Sequence, residues 1–191
     1  MKKLGMRHDA LAGLAAALLA SACVSTVAMS EPFGFGTTPT DQEISAINID
    51  VMPDGRGYPP GSGSVAQGEK VYADKCAACH GADMTESVKG SGADTLIGGR
   101  GSIGTEKTKK TVESYWPYAS TLFDYVKRAM PFNEPGSLTN DEVYAVSAYI
   151  LNKAKIIDAN ATMNAETMSK VEMPNKDGFI PDPRPDIHNY R

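Results

Sequence analysis

The stretch KCAACHGADM, residues 75–84, contains two of the three cysteines of this 191-residue chain and one of its three histidines. Cys76 and Cys79 are three positions apart, and His80 follows the second cysteine directly. In a helix this spacing places both sulfur atoms on one side. The pattern C-x-x-C-H is typical of covalent c-type haem attachment, in which two thioethers join one edge of a porphyrin and the histidine ligates its iron.

The surroundings of this cysteine pair disfavour its other roles. A thioredoxin-like redox pair requires a strand before the helix, and no strand pattern precedes this one. A zinc site needs further thiols or imidazoles, and the other two histidines of the chain are His8 and His188. A plain disulfide is the alternative that stays open for an exported protein. We therefore expect one haem c, attached through Cys76 and Cys79 and ligated by His80.

The second axial ligand of the iron is predicted to be a methionine, as in cytochromes c. Three of the nine methionines precede a proline, namely Met52, Met130 and Met173. Met130 ends a helical pattern and comes after the histidine, so a loop can bring its thioether to the opposite face of the haem. Met84 lies too close to His80 to reach that face. Met173 and an iron without a methionine ligand are the alternatives.

Helical periodicity and capping signals predict an all-α fold of three to four helices. Ser64 caps a first helix at about 65–77. A second helix has Pro117 in its first turn and ends before Pro131. The last helix opens with a T-x-x-E capping box at Thr139. Apolar residues are few for so much loop, which indicates that a cofactor fills part of the core.

The segments around these helices are predicted to be irregular apart from two short helices, near 40–47 and 164–170. Residues 81–115 are rich in glycine and then in lysine, which is typical of loop. The prolines of both ends indicate extended chain. The predicted organisation is a signal peptide at 1–28, an extended N-terminal arm at 29–63, the haem domain at 64–154 and a C-terminal extension at 155–191.

The first residues have the order of a secretory signal. Three basic residues precede an apolar run at 10–22, which is too short for a membrane span. Cleavage is expected after Ala22 or Ala28. A lipid anchor on Cys23 is the less favoured alternative, because the preceding residues match a lipoprotein signal only in part. We therefore expect an exported chain without a membrane span.

The charge of the chain excludes one class of partner. The formal net charge is −4, and the first 28 residues carry more basic than acidic groups, so the processed chain is more acidic still. An acidic protein is a poor ligand for nucleic acid. Apolar residues make up 41% and charged residues 22%, which also excludes a disordered or multi-spanning chain.

Three segments together resemble the class I cytochromes c: residues 64–80, RAMPF at 128–132, and LTNDEVYAVSAYI at 138–150. The resemblance implies that the first and last helices cross at right angles, with a glycine and aromatic rings at the contact. Gly68, Tyr72 and Tyr149 occupy those positions here. It further implies that Arg100 and Trp116 reach the haem propionates, although simple packing is the alternative for Trp116.

A backbone carbonyl in the loop at 81–99 is also expected to accept a hydrogen bond from the His80 ring, which would orient the imidazole. Ring N–H groups of ligating histidines are regularly held in this way. The sequence does not distinguish one carbonyl of this loop from another.

A closer resemblance is carried by three longer segments, at 33–72, 111–132 and 170–179. They are similar to the cytochrome subunit of bacterial sulfur and sulfite dehydrogenases, and most of all to that of the Sox sulfane dehydrogenase. That subunit typically holds two haem domains, whereas this chain has one C-x-x-C-H. A single-haem relative that serves a molybdenum sulfite dehydrogenase is therefore an equal alternative.

These features predict a periplasmic monohaem cytochrome that transfers single electrons. We expect it to be the subunit or direct acceptor of a molybdenum sulfite or sulfur-compound dehydrogenase, and to pass electrons to a downstream cytochrome or oxidase. No nucleophile, general acid or general base stands out, so the chain is not expected to be an enzyme by itself. A free shuttle to a terminal oxidase and an open-site haem enzyme or sensor are the alternatives.

Overall fold

The computed structural model describes residues 36–183. The predicted signal peptide, its cleavage sites and Cys23 lie outside the described residues, as do the first residues of the arm and the last of the C-terminal extension. The described chain contains six helices and two short strands. In chain order these are α1 (Asp41–Ile47), β1 (Ser62–Ser64), α2 (Val65–Lys75), α3 (Ala77–His80), α4 (Ala119–Ala129), α5 (Asn140–Lys153), β2 (Thr162–Asn164) and α6 (Ala165–Met168).

Helix α5 forms the centre of the fold. Every residue from Val143 to Leu151 is buried, which is a wider apolar surface than the single face of a surface helix. Helices α2 and α4 and both strands pack against α5. The predicted capping box starts it: the Glu142 N–H donates to Thr139 Oγ1 at 3.3 Å, and the Thr139 N–H donates to Glu142 Oε2 at 2.8 Å.

The predicted contact between the first and last long helices is confirmed. A Cβ on Gly68 of α2 would lie 1.9 Å from the Ala145 carbonyl oxygen of α5, so only a glycine permits this crossing. The rings of Tyr72 and Tyr149 lie beside it, with centroids 5.6 Å apart. Backbone contact at the glycine and ring contact at the tyrosines thus hold α2 on α5.

The predicted bounds of the helices differ from the observed ones at two places. Helix α2 ends at Lys75, because Cys76 leaves the helical conformation with φ −123° and ψ −39° before the short α3 begins. Helix α4 begins at Ala119 with Tyr118 as its N-cap, so the prediction that Pro117 lies in its first turn was wrong. The proline instead precedes the cap, where its missing N–H also costs nothing.

A small sheet joins the end of the N-terminal arm to the C-terminal extension and was not predicted. Strand β1 pairs antiparallel with β2, with Gly63 opposite Met163. Three-residue strands are too short to show an alternating pattern in the sequence. A Cβ on Gly63 would lie 2.2 Å from the Ala145 N atom, so the sheet sits directly on α5. The fold is therefore mostly helical, with this one small sheet among residues 36–183.

The second half of the predicted arm packs on the helices. Val51 is buried, and the ring of Tyr58 lies 5.1 Å from that of Phe123 and 6.1 Å from that of Tyr144. The Tyr144 hydroxyl donates to the Pro59 carbonyl at 2.8 Å. The first half contains α1, the short helix that was predicted there, and all of its residues are exposed.

The division of the chain at residues 28, 63 and 154 stays a prediction. None of the helices described within residues 36–183 has the length and apolarity that a membrane span requires.

Candidate functional site

The C-x-x-C-H motif lies where α2 ends and α3 forms one tight turn. The Cys79 and His80 N–H groups both donate to the Cys76 carbonyl, at 3.1 and 3.0 Å, and this turn brings the three residues together. Both thiols are free. Cys76 is half-buried and Cys79 is exposed. The arrangement leaves both sulfur atoms available for bonding to another group.

The half-buried Cys76 thiol packs against the core. Burial, followed by the nearby Cys79, raises the pKa of Cys76 to about 11, so the thiol is protonated at neutral pH. Metal ions bind the thiolate form. No group of three or more His, Cys, Asp or Glu side chains suited to a metal ion occurs among the described residues. The thiol form of Cys76 fits conversion into a thioether.

The His80 ring is held by one backbone carbonyl. Its Nδ1 lies 2.8 Å from the Asp94 carbonyl oxygen. A carbonyl only accepts hydrogen bonds, so Nδ1 carries the proton and Nε2 is left with a free lone pair. The predicted carbonyl in the loop at 81–99 is thus confirmed, and the structure identifies it as that of Asp94. This is the tautomer that an iron-ligating histidine requires.

The loop after the motif is tied back to the helices. The buried Tyr72 donates its hydroxyl proton to the Gly81 carbonyl at 2.7 Å. The Leu96 and Ile97 N–H groups donate to the Met84 carbonyl at 3.0 and 3.2 Å. The Met84 side chain is fully buried in the core. Met84 therefore fills the core.

Met130 lies directly after α4, as its C-cap. Its N–H donates to the Val126 carbonyl at 3.1 Å, and its half-buried side chain packs against the core. Helix α4, which ends at Met130, and α2, which ends before Cys76, both pack on α5. The alternatives differ in their surroundings: Met52 is 42% exposed, whereas Met173 is buried in the core.

Arg100 and Trp116 occupy different environments. One guanidinium nitrogen of Arg100 donates to the Ala154 carbonyl at 2.6 Å and to Glu113 at 3.3 Å, so this side chain ties its loop to the end of α5. The half-buried Trp116 ring lies edge-on to Tyr125 at 5.8 Å. Within residues 36–183 its indole N–H has no hydrogen-bond acceptor. That donor is available to an acidic group of a cofactor.

One feature of the site was missed by sequence reasoning. The C-terminal extension crosses the segment that carries Trp116. The Asn175 amide donates to the Tyr115 carbonyl at 2.7 Å, and the Phe179 ring lies 5.3 Å from that of Tyr115. The only sequence signal was the resemblance at 170–179, which says nothing of what that segment contacts.

The side chains together fit a covalently attached haem. Two thiols are free, one imidazole nitrogen is unoccupied, a thioether is half-buried at a helix end, and an indole N–H has no partner in the described part of the chain. These are the groups that thioether bonds, two axial ligands and a propionate require.

Comparisons with known proteins find a matching family and similar chains. A family model described as cytochrome c matches residues 65–154. The crystal structure of the sulfane dehydrogenase SoxCD from Paracoccus pantotrophus contains a similar chain, with 40% identity and a TM-score of 0.73. That likeness covers 83% of this chain and 76% of the other.

Two curated thiosulfate dehydrogenases are also similar. The one from Stutzerimonas stutzeri (strain A1501) is 27% identical over 113 residues, which are 59% of this chain and 33% of the relative. The one from Psychrobacter arcticus is 25% identical over 132 residues, which are 69% of this chain and 36% of the relative. The chain thus spans about a third of the length of these relatives.

Proposed function

Because this chain belongs to the cytochrome c family, we propose that it binds one haem c and transfers single electrons in the periplasm. Its donor is a molybdenum sulfite or sulfur-compound dehydrogenase, of which it is the cytochrome subunit or the direct acceptor. Its own acceptor is a downstream cytochrome or oxidase. The chain supplies no chemistry on the sulfur compound.

The observation that carries the proposal is the hydrogen bond between His80 Nδ1 and the Asp94 carbonyl, at 2.8 Å. It leaves Nε2 of this histidine free beside the two free thiols of Cys76 and Cys79. A carbonyl partner also restricts rotation of the ring, which keeps an iron ligand in place during changes of oxidation state.

Each residue of the site has a defined task. The bound haem supplies an iron that gains and loses one electron. Cys76 and Cys79 would hold it covalently, and His80 Nε2 and the Met130 thioether would ligate its iron. The thioether is a neutral and weakly donating ligand, which raises the reduction potential. Trp116 would donate its indole N–H to a propionate. Arg100 secures the loop at 98–100 through Glu113 and the end of α5.

The extent of the likeness supports a dehydrogenase partner. Residues 65–154 are less than half of the chain, whereas the similarity to the SoxCD chain covers 83% of it. The likeness therefore includes much of the arm and of the C-terminal extension. Segments outside the electron-transfer domain are maintained in a protein when they serve an assembly or the stability of that domain.

The axial ligand is tested by Met130→Ala, with Met52→Ala as the matched control. Both methionines precede a proline, but Met52 is exposed at the surface. The oxidised wild-type protein is expected to show the weak near-infrared methionine-to-iron band and to bind cyanide slowly. Met130→Ala should lose the band and bind cyanide fast, whereas Met52→Ala should behave as the wild type. A band that persists in Met130→Ala would refute the assignment, and fast cyanide binding by the wild type would favour an open-site haem protein.

The partner is tested by purification from the native host under mild conditions. A molybdenum-containing protein should co-elute, and the haem of the mixture should become reduced on addition of sulfite or of a sulfane-sulfur donor. If the cytochrome elutes without such a protein and still accepts electrons, it is a free shuttle instead.

A further inference from the structure

Four residues fasten the N-terminal arm to the end of helix α4. Arg128 lies in the last turn of α4 and holds Asp124, one turn earlier, with two parallel hydrogen bonds of 2.9 and 2.8 Å. The same guanidinium donates to Asp50 of the arm at 2.8 Å. The Val51 N–H donates to Asp124 Oδ1 at 3.3 Å. We call these residues, Asp50, Val51, Asp124 and Arg128, the arm clamp.

The arm clamp combines polar and apolar anchoring. Its fork of two hydrogen bonds between Arg128 and Asp124 is the strong geometry for a guanidinium and a carboxylate. The side chain of Asp124 is 26% exposed and that of Arg128 is 39% exposed, so water screens the pair only in part. The Val51 side chain is buried in the core directly beside it. The arm is therefore held by more than a surface ion pair.

Arg128 of the arm clamp lies two residues before the proposed iron ligand, Met130. The Met130 N–H makes the closing bond of α4 with the Val126 carbonyl. Helix ends fray because their last carbonyls lack intrahelical partners. On another side of the same turn, Lys127 donates to Asn140 of α5 at 2.9 Å. The last turn of α4 is thus secured both to the central helix and to the arm.

We propose that the arm clamp is a positioning element for Met130: it keeps the last turn of α4 closed, so that the thioether stays on the iron. The inference rests on the proposed ligation by Met130. The arm acts through Asp50 and Val51, which do not belong to the segment matched by the family model. An arm that covers the core thereby also slows the loss of an axial ligand.

The chain offers a matched control for the arm clamp. Arg56 and Asp54 form an ion pair of 2.7 Å within the same arm, with both side chains more than half exposed. The hydrogen bonds between these two residues stay within the arm and do not involve α4. Arg56→Ala therefore removes an arginine ion pair from the arm without releasing the arm from the helix.

The experiment measures the displacement of the methionine by imidazole in the oxidised, haem-loaded protein, together with the near-infrared band. Imidazole is used because its neutral form is insensitive to nearby charges. Arg128→Ala should speed displacement about fivefold, which is about 1 kcal/mol at 1.36 kcal/mol per tenfold. Asp50→Asn should speed it about twofold, because the pair with Asp124 remains. Arg56→Ala should match the wild type.

The two clamp variants also separate positioning from simple electrostatics. Arg128→Ala removes a positive charge from the arm clamp and Asp50→Asn removes a negative one. A direct charge effect on the iron would change the displacement rate in opposite directions, whereas a positioning role predicts faster displacement in both. In the double variant the rate should equal that of Arg128→Ala alone, because both changes break the same contact.

The outcomes distinguish this inference from the proposed function. A wild-type protein without the methionine band overturns both. If the band is present and both clamp variants displace methionine at the rate of Arg56→Ala, the positioning role is wrong and the ligation stands. Opposite effects of the two variants also overturn it. Asp50 is an exposed residue, so its variant keeps the test available if Arg128→Ala fails to fold.

Discussion

Replacing Gly68 with alanine would place a methyl group against the backbone of the central helix. The new Cβ would lie 1.9 Å from the Ala145 carbonyl oxygen, 2.5 Å from the Ala145 carbonyl carbon and 2.8 Å from Tyr149 Cβ. Ordinary contacts of a Cβ begin at 3.4 Å. Two of the three atoms belong to the backbone of α5, which no rotamer change can move aside. The two helices must therefore separate by roughly 1.5 Å.

The cost of this separation follows from two opposing effects. Overpacking a core costs about 1–3 kcal/mol, and the rigid backbone at Ala145 places Gly68→Ala at or above the top of that range. Alanine recovers about 1 kcal/mol relative to glycine in a helix. We expect a net loss of about 2–3 kcal/mol. At about 2–4 °C per kcal/mol for a chain of this size, the melting temperature should fall by roughly 5–10 °C.

The assay is thermal unfolding of the oxidised, haem-loaded protein, followed by far-ultraviolet circular dichroism. Ala66→Gly is the control, because Ala66 is exposed on the same helix and should lose only about 1 kcal/mol of helix propensity. Gly63→Ala should resemble Gly68→Ala, since its Cβ would lie 2.2 Å from the Ala145 N atom. If Gly68→Ala melts at or above the wild-type temperature, the tight crossing of α2 and α5 is wrong.

Three further changes test single hydrogen bonds and the loss of stability at low pH. Tyr72→Phe removes the donor to the Gly81 carbonyl and should lower the free energy of unfolding by about 1 kcal/mol in urea titrations; no change would mean that water replaces the hydroxyl. Asn164→Ala removes the cap of α6, which accepts two backbone N–H groups, and should cost about 1 kcal/mol by the same measurement. The Thr139 N–H and then its hydroxyl lower the pKa of Glu142 below its usual 4.5. The stabilising contribution of the Glu142 carboxylate is thus present above pH 4.5 and is lost as the pH falls through the lower folded-state pKa. Glu142→Gln should therefore reduce the loss of stability in acid. An unchanged dependence of stability on pH would contradict this.

Local features of this protein were predictable from the sequence because each is contained in a few adjacent residues. The C-x-x-C-H motif marks Cys76, Cys79 and His80 as the candidate site, and the cap at Ser64 and the capping box at Thr139 mark where α2 and α5 begin. Hydrophobic spacing and Pro131 located the end of α4 next to Met130. The errors were also local. The start of α4 was predicted too early, at Pro117, and α2 was predicted to continue past Cys76, where the chain turns.

The features that only the tertiary structure decided depend on contacts between residues far apart in the chain. Backbone carbonyls are chemically alike, so the sequence predicts that one of them orients His80 but cannot identify Asp94. Distant segments are likewise joined by three contacts: the pairing of β1 with β2, the hydrogen bond from Asn175 to Tyr115 beside Trp116, and the arm clamp at Arg128. The sequence by itself determined the chemistry of the haem-binding groups and the helices that carry them. Folding around α5 decided which backbone groups and which parts of the two extensions hold those helices in place, since such contacts depend on distances that local patterns do not encode.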